Sequence, residues 1–218
     1  QRKLEVTSAA ASVKAKDFVQ GTVKDVGQLL QGKVAGLAVN NVSGDPTAPS
    51  QILLRGVATL LSSTQPLVLI DGIPGDLATV PPNDIESIDV LKDGSAAAIY
   101  GTRGTNGVII INTRKAKGSV THVIGYDGYV STQEFIRMPK MLTAAEYREK
   151  ISEGVGFQDM GSSTDWVKEI SRNMPISHNH NLSVSGGSSK TNYFGSVNYR
   201  NLQGVVLQSD YQTLNARL

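Results

Sequence analysis

Asp71, Asp84, Glu86, Asp89 and Asp93 form an acidic series in the middle of the chain. Paired carboxylates can share general acid and general base duty, and clustered ones can hold calcium through oxygen ligands. Neither chemistry has the rest of its apparatus here. The series lacks EF-hand spacing, and no nucleophile–base pair stands beside it. Turn and cap duty accounts for it instead: Asp71 precedes Gly72, Asn83 can cap a turn, and Asp93 precedes a predicted helix.

Gly101, Gly104 and Gly107 recur at three-residue intervals and invite a phosphate-loop reading. The spacing matches neither G-x-G-x-x-G nor G-x-x-x-x-G-K-[ST]. These glycines also follow a helix and precede a strand, the reverse of a nucleotide loop. Tight backbone packing near a neighbouring wall is the better reading. His178 and His180 lie two apart, on one face of an extended strand, and His122 is the remaining histidine. Two imidazoles with a third ligand can bind zinc or copper; a polar rim is the favoured alternative, and no metal site is assigned. Tyr147, Phe157 and Trp166 could stack on a sugar ring, although packing of two short helices against each other is the preferred reading.

The chain that must position these residues has 218 residues, a net charge of +2 and no cysteine. Disulfides, thiolate zinc sites and cysteine nucleophiles are excluded. The charge offers no field for nucleic acid or a membrane surface. Glycine is abundant at 22 residues and aromatics make up 6%, a composition suited to turns and short strands. No apolar stretch approaches the ~20 residues of a membrane helix, and no basic-then-apolar leader opens the chain. Gln1 is not an ordinary first residue, so a mature or truncated product is expected.

Up to about Lys117 the pattern is mixed α/β. Asp25 can cap a short helix carrying Leu29, Leu30 and Val34, stopped at Gly36. Short apolar strands are expected at 37–42, 51–55, 67–70 and 87–91. Asp71 to Pro74 reads as a turn, and 95–100 as an alanine-rich helix closed by Gly101. The run from Gly107 to Asn112 holds three successive isoleucines, the mark of a strand covered on both faces.

Beyond that point the pattern changes to alternation. Leu182 and Val184 alternate with Asn181, Ser183 and Ser185. Tyr193, Gly195, Val197 and Tyr199 alternate with Ser196, Asn198 and Arg200. Leu214, Ala216 and Leu218 alternate with Asn215 and Arg217. Val120 to Thr132 is a less regular candidate. A half-buried soluble strand can look like this, and so can a transmembrane barrel strand with one face in lipid and one in a wet lumen. Periodicity alone leans to the soluble reading. The connections lean the other way: 133–177 is long, with a capping box at Thr143–Glu146 and a second short helix at 164–171, whereas Gly186 to Lys190 is a tight hairpin turn. Long connections on one side and tight turns on the other belong to barrels.

Several segments, in order, resemble the SusC/RagA-type TonB-dependent transporters of the bacterial outer membrane. Leu30 to Leu37 is similar to the family's opening plug motif, and Ile52 to Gly56 to its Ile-Arg-Gly strand. Pro66 to Pro74 is similar to its Pro-Leu-x-Val-Ile-Asp-Gly-Val-Pro segment, and Asn83 to Asn112 to its longest signature. Leu142 to Tyr147, Asn181 to Gly187 and Gly204 to Asp210 resemble the first barrel strands and loop. The resemblance implies an α/β (α+β) mixed-sheet plug domain at 1–117. At 118–218 it implies the first antiparallel strands and long loop of an incomplete transmembrane β-barrel.

The implied function is TonB-gated uptake of oligosaccharides or peptides across the outer membrane of Bacteroidetes-type bacteria. No enzyme activity, cofactor or nucleic acid is involved. The implied partners are a SusD-like surface lipoprotein, the TonB complex acting through a segment upstream of Gln1, a glycan or peptide substrate, and outer-membrane lipid around the full barrel. In related plugs an arginine at the position of Arg55 pairs with glutamates on the barrel wall, and a second basic residue of that lock aligns with Lys92. Lysine lacks the planar fork of arginine, and Arg55 could instead solvate a strand end. Gly56, Asp71, Gly72, Gly101, Gly104 and Gly107 are the structural plug signature. A barrel of 22 strands at ~10 residues per strand needs far more chain, so only about four strands fit. The alternative is a soluble periplasmic α/β binding module. For the fragment, residues 1–117 are expected to fold alone, and the chain after about Gly118 to be poorly ordered or to pair through open edges.

Overall fold

The computed structural model describes residues 10–18, 23, 25–41, 45, 48–54, 64–92, 99–116, 122–137, 140–155, 158–188 and 190–218. Arg55 and Gly56, together with Asp93, Phe157 and most of the predicted helix at 95–100, lie outside the described residues.

The first half is built on a five-stranded mixed sheet. In chain order its strands are β1 (Ala10–Lys14), β4 (Leu67–Ile70), β5 (Ile73–Pro74), β6 (Ile85–Leu91) and β7 (Val108–Thr113), arranged β1-β6-β7-β4-β5. β4 and β7 run parallel, with Leu67 opposite Val108 and Ile70 opposite Ile111; the other pairs are antiparallel. A separate hairpin pairs β2 (Leu37–Asn40) with β3 (Gln51–Leu54).

The isoleucine run behaves as its composition demands. Ile109 and Ile111 enter the main core beside Val68, Ile70, Ile88 and Val90. Val108 and Ile110 point the other way, to a smaller cluster with Leu67, Leu69, Leu91 and Tyr100. Because successive side chains alternate across a strand, a strand buried on both faces needs apolar residues at every position.

Helix α1 (Val26–Leu30) closes the main core. Asp25 caps it, its Oδ1 accepting from the Gln28 amide at 3.2 Å. Asp25 Oδ2 also accepts from the Ser50 amide at 2.7 Å, which ties the cap to the start of β3. The helix is shorter than expected: the chain leaves it at Gln31 and turns at Gly32 (φ 70°). Val34 still reaches the core, delivered from the turn and not from the helix.

The second half is an antiparallel sheet of four strands, ordered β11-β10-β9-β8. β8 spans Val123–Thr132, β9 Ile176–Gly187, β10 Asn192–Gln203 and β11 Asp210–Arg217. Between β8 and β9 lie α2 (Ala144–Ser152), with Thr143 and Glu146 forming the expected capping box, and α3 (Trp166–Ile170). The four strands form a continuous ladder with β8 and β11 as its edges, and one face of it rests on the first half. The expected packing of α2 on α3 is not seen either. Neither helix buries a residue, and Trp166 is 69% exposed.

Candidate functional site at the seam between plug and wall

The second sheet is inside out by the standards of a soluble protein. The face toward the first half carries Ser177, Asn179, Asn181, Ser196, Asn198 and Arg200, and all are buried. The opposite face carries Ile124, Tyr126, Val130, Leu182, Val197 and Leu214, and all are exposed, Ile124 and Val130 at 71%. Strands that alternate with period two can place only one residue class on each face. A soluble half-buried sheet turns its apolar class inward, whereas a barrel wall turns it outward to lipid. The soluble reading that periodicity favoured is therefore overturned: amides, hydroxyls and Arg200 dominate the covered face, with Leu202 also buried on it.

Aromatic and imidazole groups are interleaved with the apolar residues of this face. Toward the tight turn before β10, His122 Nδ1 and Tyr193 Oη share a short hydrogen bond. Toward the other end, Tyr126 Oη and His180 Nδ1 are 2.7 Å apart, and the His178 ring lies 5.2 Å from that of His180 and 5.7 Å from that of Tyr199. His122 thus sits with Tyr193, away from the other two histidines, and the three do not converge. Among the described residues no group of three or more His, Cys, Asp or Glu side chains is placed to hold a metal ion.

Polar contacts join the two halves. Ser196 Oγ on β10 donates to Asp84 Oδ2 at 2.6 Å in a site where Asp84 is 1% exposed. Arg200 Nη1 donates to the Val23 carbonyl at 3.5 Å. Arg217 Nη2 on β11 donates to Asp71 Oδ2 at 2.6 Å and also reaches Thr113 Oγ1. Asp71 in turn accepts from the Thr113 amide at 3.0 Å and from Thr113 Oγ1 at 2.6 Å. Burial raises the Asp71 carboxyl, but the Thr113 and Arg217 donors outweigh it and hold the group below its ordinary range.

Among the cavities in the seam, two meet at Arg200. One of about 370 Å³ is lined in part by Asp25, Ser50, Asp76, Arg200 and Tyr211. The other, about 360 Å³, is lined in part by Asn83, Arg114, Tyr129, Asn179 and Arg200. Arg200 borders both, so the wall meets the first half along a line of polar groups with gaps between them.

On the side of the long connection, the chain returns through a clip. Arg172 grips Asp210 with both guanidinium nitrogens, at 2.7 and 3.1 Å, and donates to the Gly204 carbonyl at 3.1 Å. The Arg172 amide meets the Val205 carbonyl and the Leu207 amide meets the Ile170 carbonyl, which fastens α3 to the β10–β11 turn.

The structure places the predicted site residues unevenly. Lys92 is partly exposed just past β6, at the Leu91–Val108 end of the sheet. Asp71 and Thr113 are at the opposite end, about 17 Å along β7 at ~3.3 Å per residue. Asp71 (φ 49°) and Gly72 (φ 90°) form the left-handed turn that the Asp-Gly pair implies. Gly107 (φ 87°) is crowded: a Cβ there would lie 2.5 Å from Leu54 Cδ1 and 3.0 Å from the Leu91 carbonyl. Its close neighbours are thus residues of the first half, not of the wall. Sequence reasoning missed Thr113, Ser196 and Arg217. The available signal was a charged or hydroxyl residue on the non-apolar positions of an alternating strand.

Comparisons with known proteins agree with this geometry. The family described as TonB-dependent Receptor Plug Domain matches residues 2–108. TonB-dependent receptor SusC of Bacteroides thetaiotaomicron is 34% identical over 229 residues, covering 99% of this chain and 23% of that protein. TonB-dependent receptor P26 of Formosa agariphila is 36% identical over 225 residues, covering 96% of this chain and 23% of that protein. The solved RagAB peptide importer in its closed-closed state superposes with a TM-score of 0.79 at 28% identity, covering 92% of this chain and 27% of that one. The chain thus spans about a quarter of the length of the relatives it matches. These relatives are TonB-dependent receptors and a peptide importer. The chain belongs to the SusC/RagA type of TonB-dependent receptors, with the plug domain in its first half and wall strands of the barrel in its second.

Proposed function

We propose that this chain is the plug and opening wall of a transporter that imports oligosaccharides or peptides across the outer membrane. The observation that carries the reading is the inverted sheet: its polar face is covered by the plug and its apolar face is exposed. A plug that fills a wet lumen and is held by hydrogen bonds can be displaced without exposing a large shared core.

The rest of the reading follows from membership of the family. A SusD-like surface lipoprotein captures the glycan or peptide, and TonB pulls on a segment upstream of Gln1 to open a path. The likeness to a peptide importer and to SusC supports this class of cargo and partner. The plug lies inside the barrel and faces the periplasm. The boundary between plug and wall is placed at 117/118, and Arg55 and Lys92 form the plug side of a lock to glutamates on the wall.

The test is to purify the receptor that contains this chain from the outer membrane and analyse it by mass spectrometry. A co-purifying surface lipoprotein and a bound glycan or peptide are expected. Recovery of the receptor from the aqueous fraction, with neither, would overturn the proposal.

A further inference from the structure

The described members of both hydrophobic clusters come from residues 11–111. The plug core is closed on itself, and the seam with the wall shares no apolar cluster among the described residues. Little hydrophobic area opposes separation of such a seam, so polar contacts must hold it. One such contact, at Asp71, joins the end of β4 to both β7 and β11. The chain leaves β4 there in a left-handed conformation that few residues with a side chain adopt. This turns the carboxylate onto the end of β7, where Thr113 donates twice, and toward β11, where Arg217 donates. The Asp71 and Arg217 side chains are 22% and 31% exposed, so water screens the pair only in part.

We infer that Asp71, Thr113 and Arg217 form a latch holding the β4–β7 edge of the plug to the wall, with Arg217 as its positioning residue. The inference rests on the plug reading above. The latch lies at the opposite end of β7 from Lys92 and reverses the polarity of the proposed lock, because here the carboxylate is on the plug and the guanidinium is on the wall. Without Arg217 the carboxylate keeps its two Thr113 donors, so the plug turn survives while its tie to the wall is lost.

The test uses the receptor containing this chain, inserted in a planar lipid bilayer, with potassium chloride current as the probe. Urea displaces the plug and opens the current. Arg217→Gln is expected to lower the urea midpoint by roughly 1 M, and Arg217→Lys to recover part of that loss. The double variant Asp71→Asn with Arg217→Gln should fall no further than the weaker single variant, since both remove one contact. An unchanged midpoint in Arg217→Gln, or strict additivity in the double variant, would overturn the latch. If these variants fail to insert, Asp71→Cys with Arg217→Cys, in a receptor background freed of any other cysteine, decides the matter in one sample; these 218 residues contribute none of their own. Joined by a short reducible bifunctional thiol reagent, the pair should raise the midpoint, and reduction should lower it again. A midpoint indifferent to joining overturns the latch. A receptor that passes no current at any urea concentration fails the transporter reading itself, and the latch with it.

Discussion

Ser196 Oγ donates to Asp84 Oδ2 at 2.6 Å across 112 positions of sequence. Asp84 sits at the N-terminal edge of β6, in the plug, and Ser196 is on the covered face of β10, in the wall. The other carboxylate oxygen, Oδ1, is buried with no hydrogen-bond partner among the described residues. Among those residues, the wall hydroxyl is the donor this carboxylate relies on.

That dependence makes Ser196→Ala costly for its size. It leaves a buried acceptor unsatisfied, at about 1–3 kcal/mol. Urea titration of the receptor, read by a plug-specific fluorophore, should show the loss. The same substitution in an Asp84→Asn background should cost a different amount, because the partner of the hydrogen bond has changed. Equal costs in both backgrounds would count against a direct interaction.

Acid should weaken the Asp71 contact, and the sign is determinate. The native carboxyl titrates below its ordinary value of 3.8. A depressed native pKa stabilises the fold fully above the unfolded value and loses that contribution as pH falls from there through the lower native value. Urea midpoints of the wild type and Asp71→Asn should keep a constant gap down to about pH 4.5 and converge below it. A gap that widened toward acid would contradict the assignment.

Gly107 and Gly101 separate crowding from backbone conformation. Both have positive φ, but a Cβ at Gly101 (φ 62°) meets nothing within 4 Å. Gly101→Ala should therefore cost about 1 kcal/mol for its left-handed backbone alone. Gly107→Ala adds the overlap with Leu54 and the Leu91 carbonyl, about 1–3 kcal/mol more. Thermal melting of the two variants should rank them in that order; equal losses would remove the packing role of Gly107.

The exposed face of the wall should tolerate apolar exchange and reject charge. Leu182, 49% exposed, lies in the middle row of that face, between Tyr126 and Val197. Leu182→Arg at mid-membrane depth should cost about 2–4 kcal/mol and lower the folded yield in the outer membrane, whereas Leu182→Phe should leave it unchanged. Gel mobility of unheated membrane fractions reads the folded form. Normal insertion of Leu182→Arg would place this face away from lipid.

Local chemistry was legible wherever it did not depend on distant chain. The isoleucine run at 109–111 read as a strand covered on both faces, because β-branched side chains favour strands and a strand with successive apolar residues must be covered on both sides. Asp25, Thr143 and the Asp71–Gly72 pair declared their caps and turn by residue type alone, and all three appear where expected. Helix α1 was read one turn too long, since the positive φ of Gly32 outweighed the apolar spacing that runs on to Val34.

What the sequence determined by itself was the period of each strand, the identity of its two faces and the order of the plug motifs. It could not say which face of β8 to β11 turned inward, because alternation is symmetric: a soluble sheet and a barrel wall carry the same pattern with opposite faces buried. Only the tertiary structure broke that symmetry, by laying the plug against the asparagines, serines and Arg200. The same holds for the contacts across the seam. Asp71 read as a turn residue and Arg217 as one charge in an alternating strand, and 146 positions separate them. Residue type offers no means of pairing charges at that distance; the packing of plug on wall does.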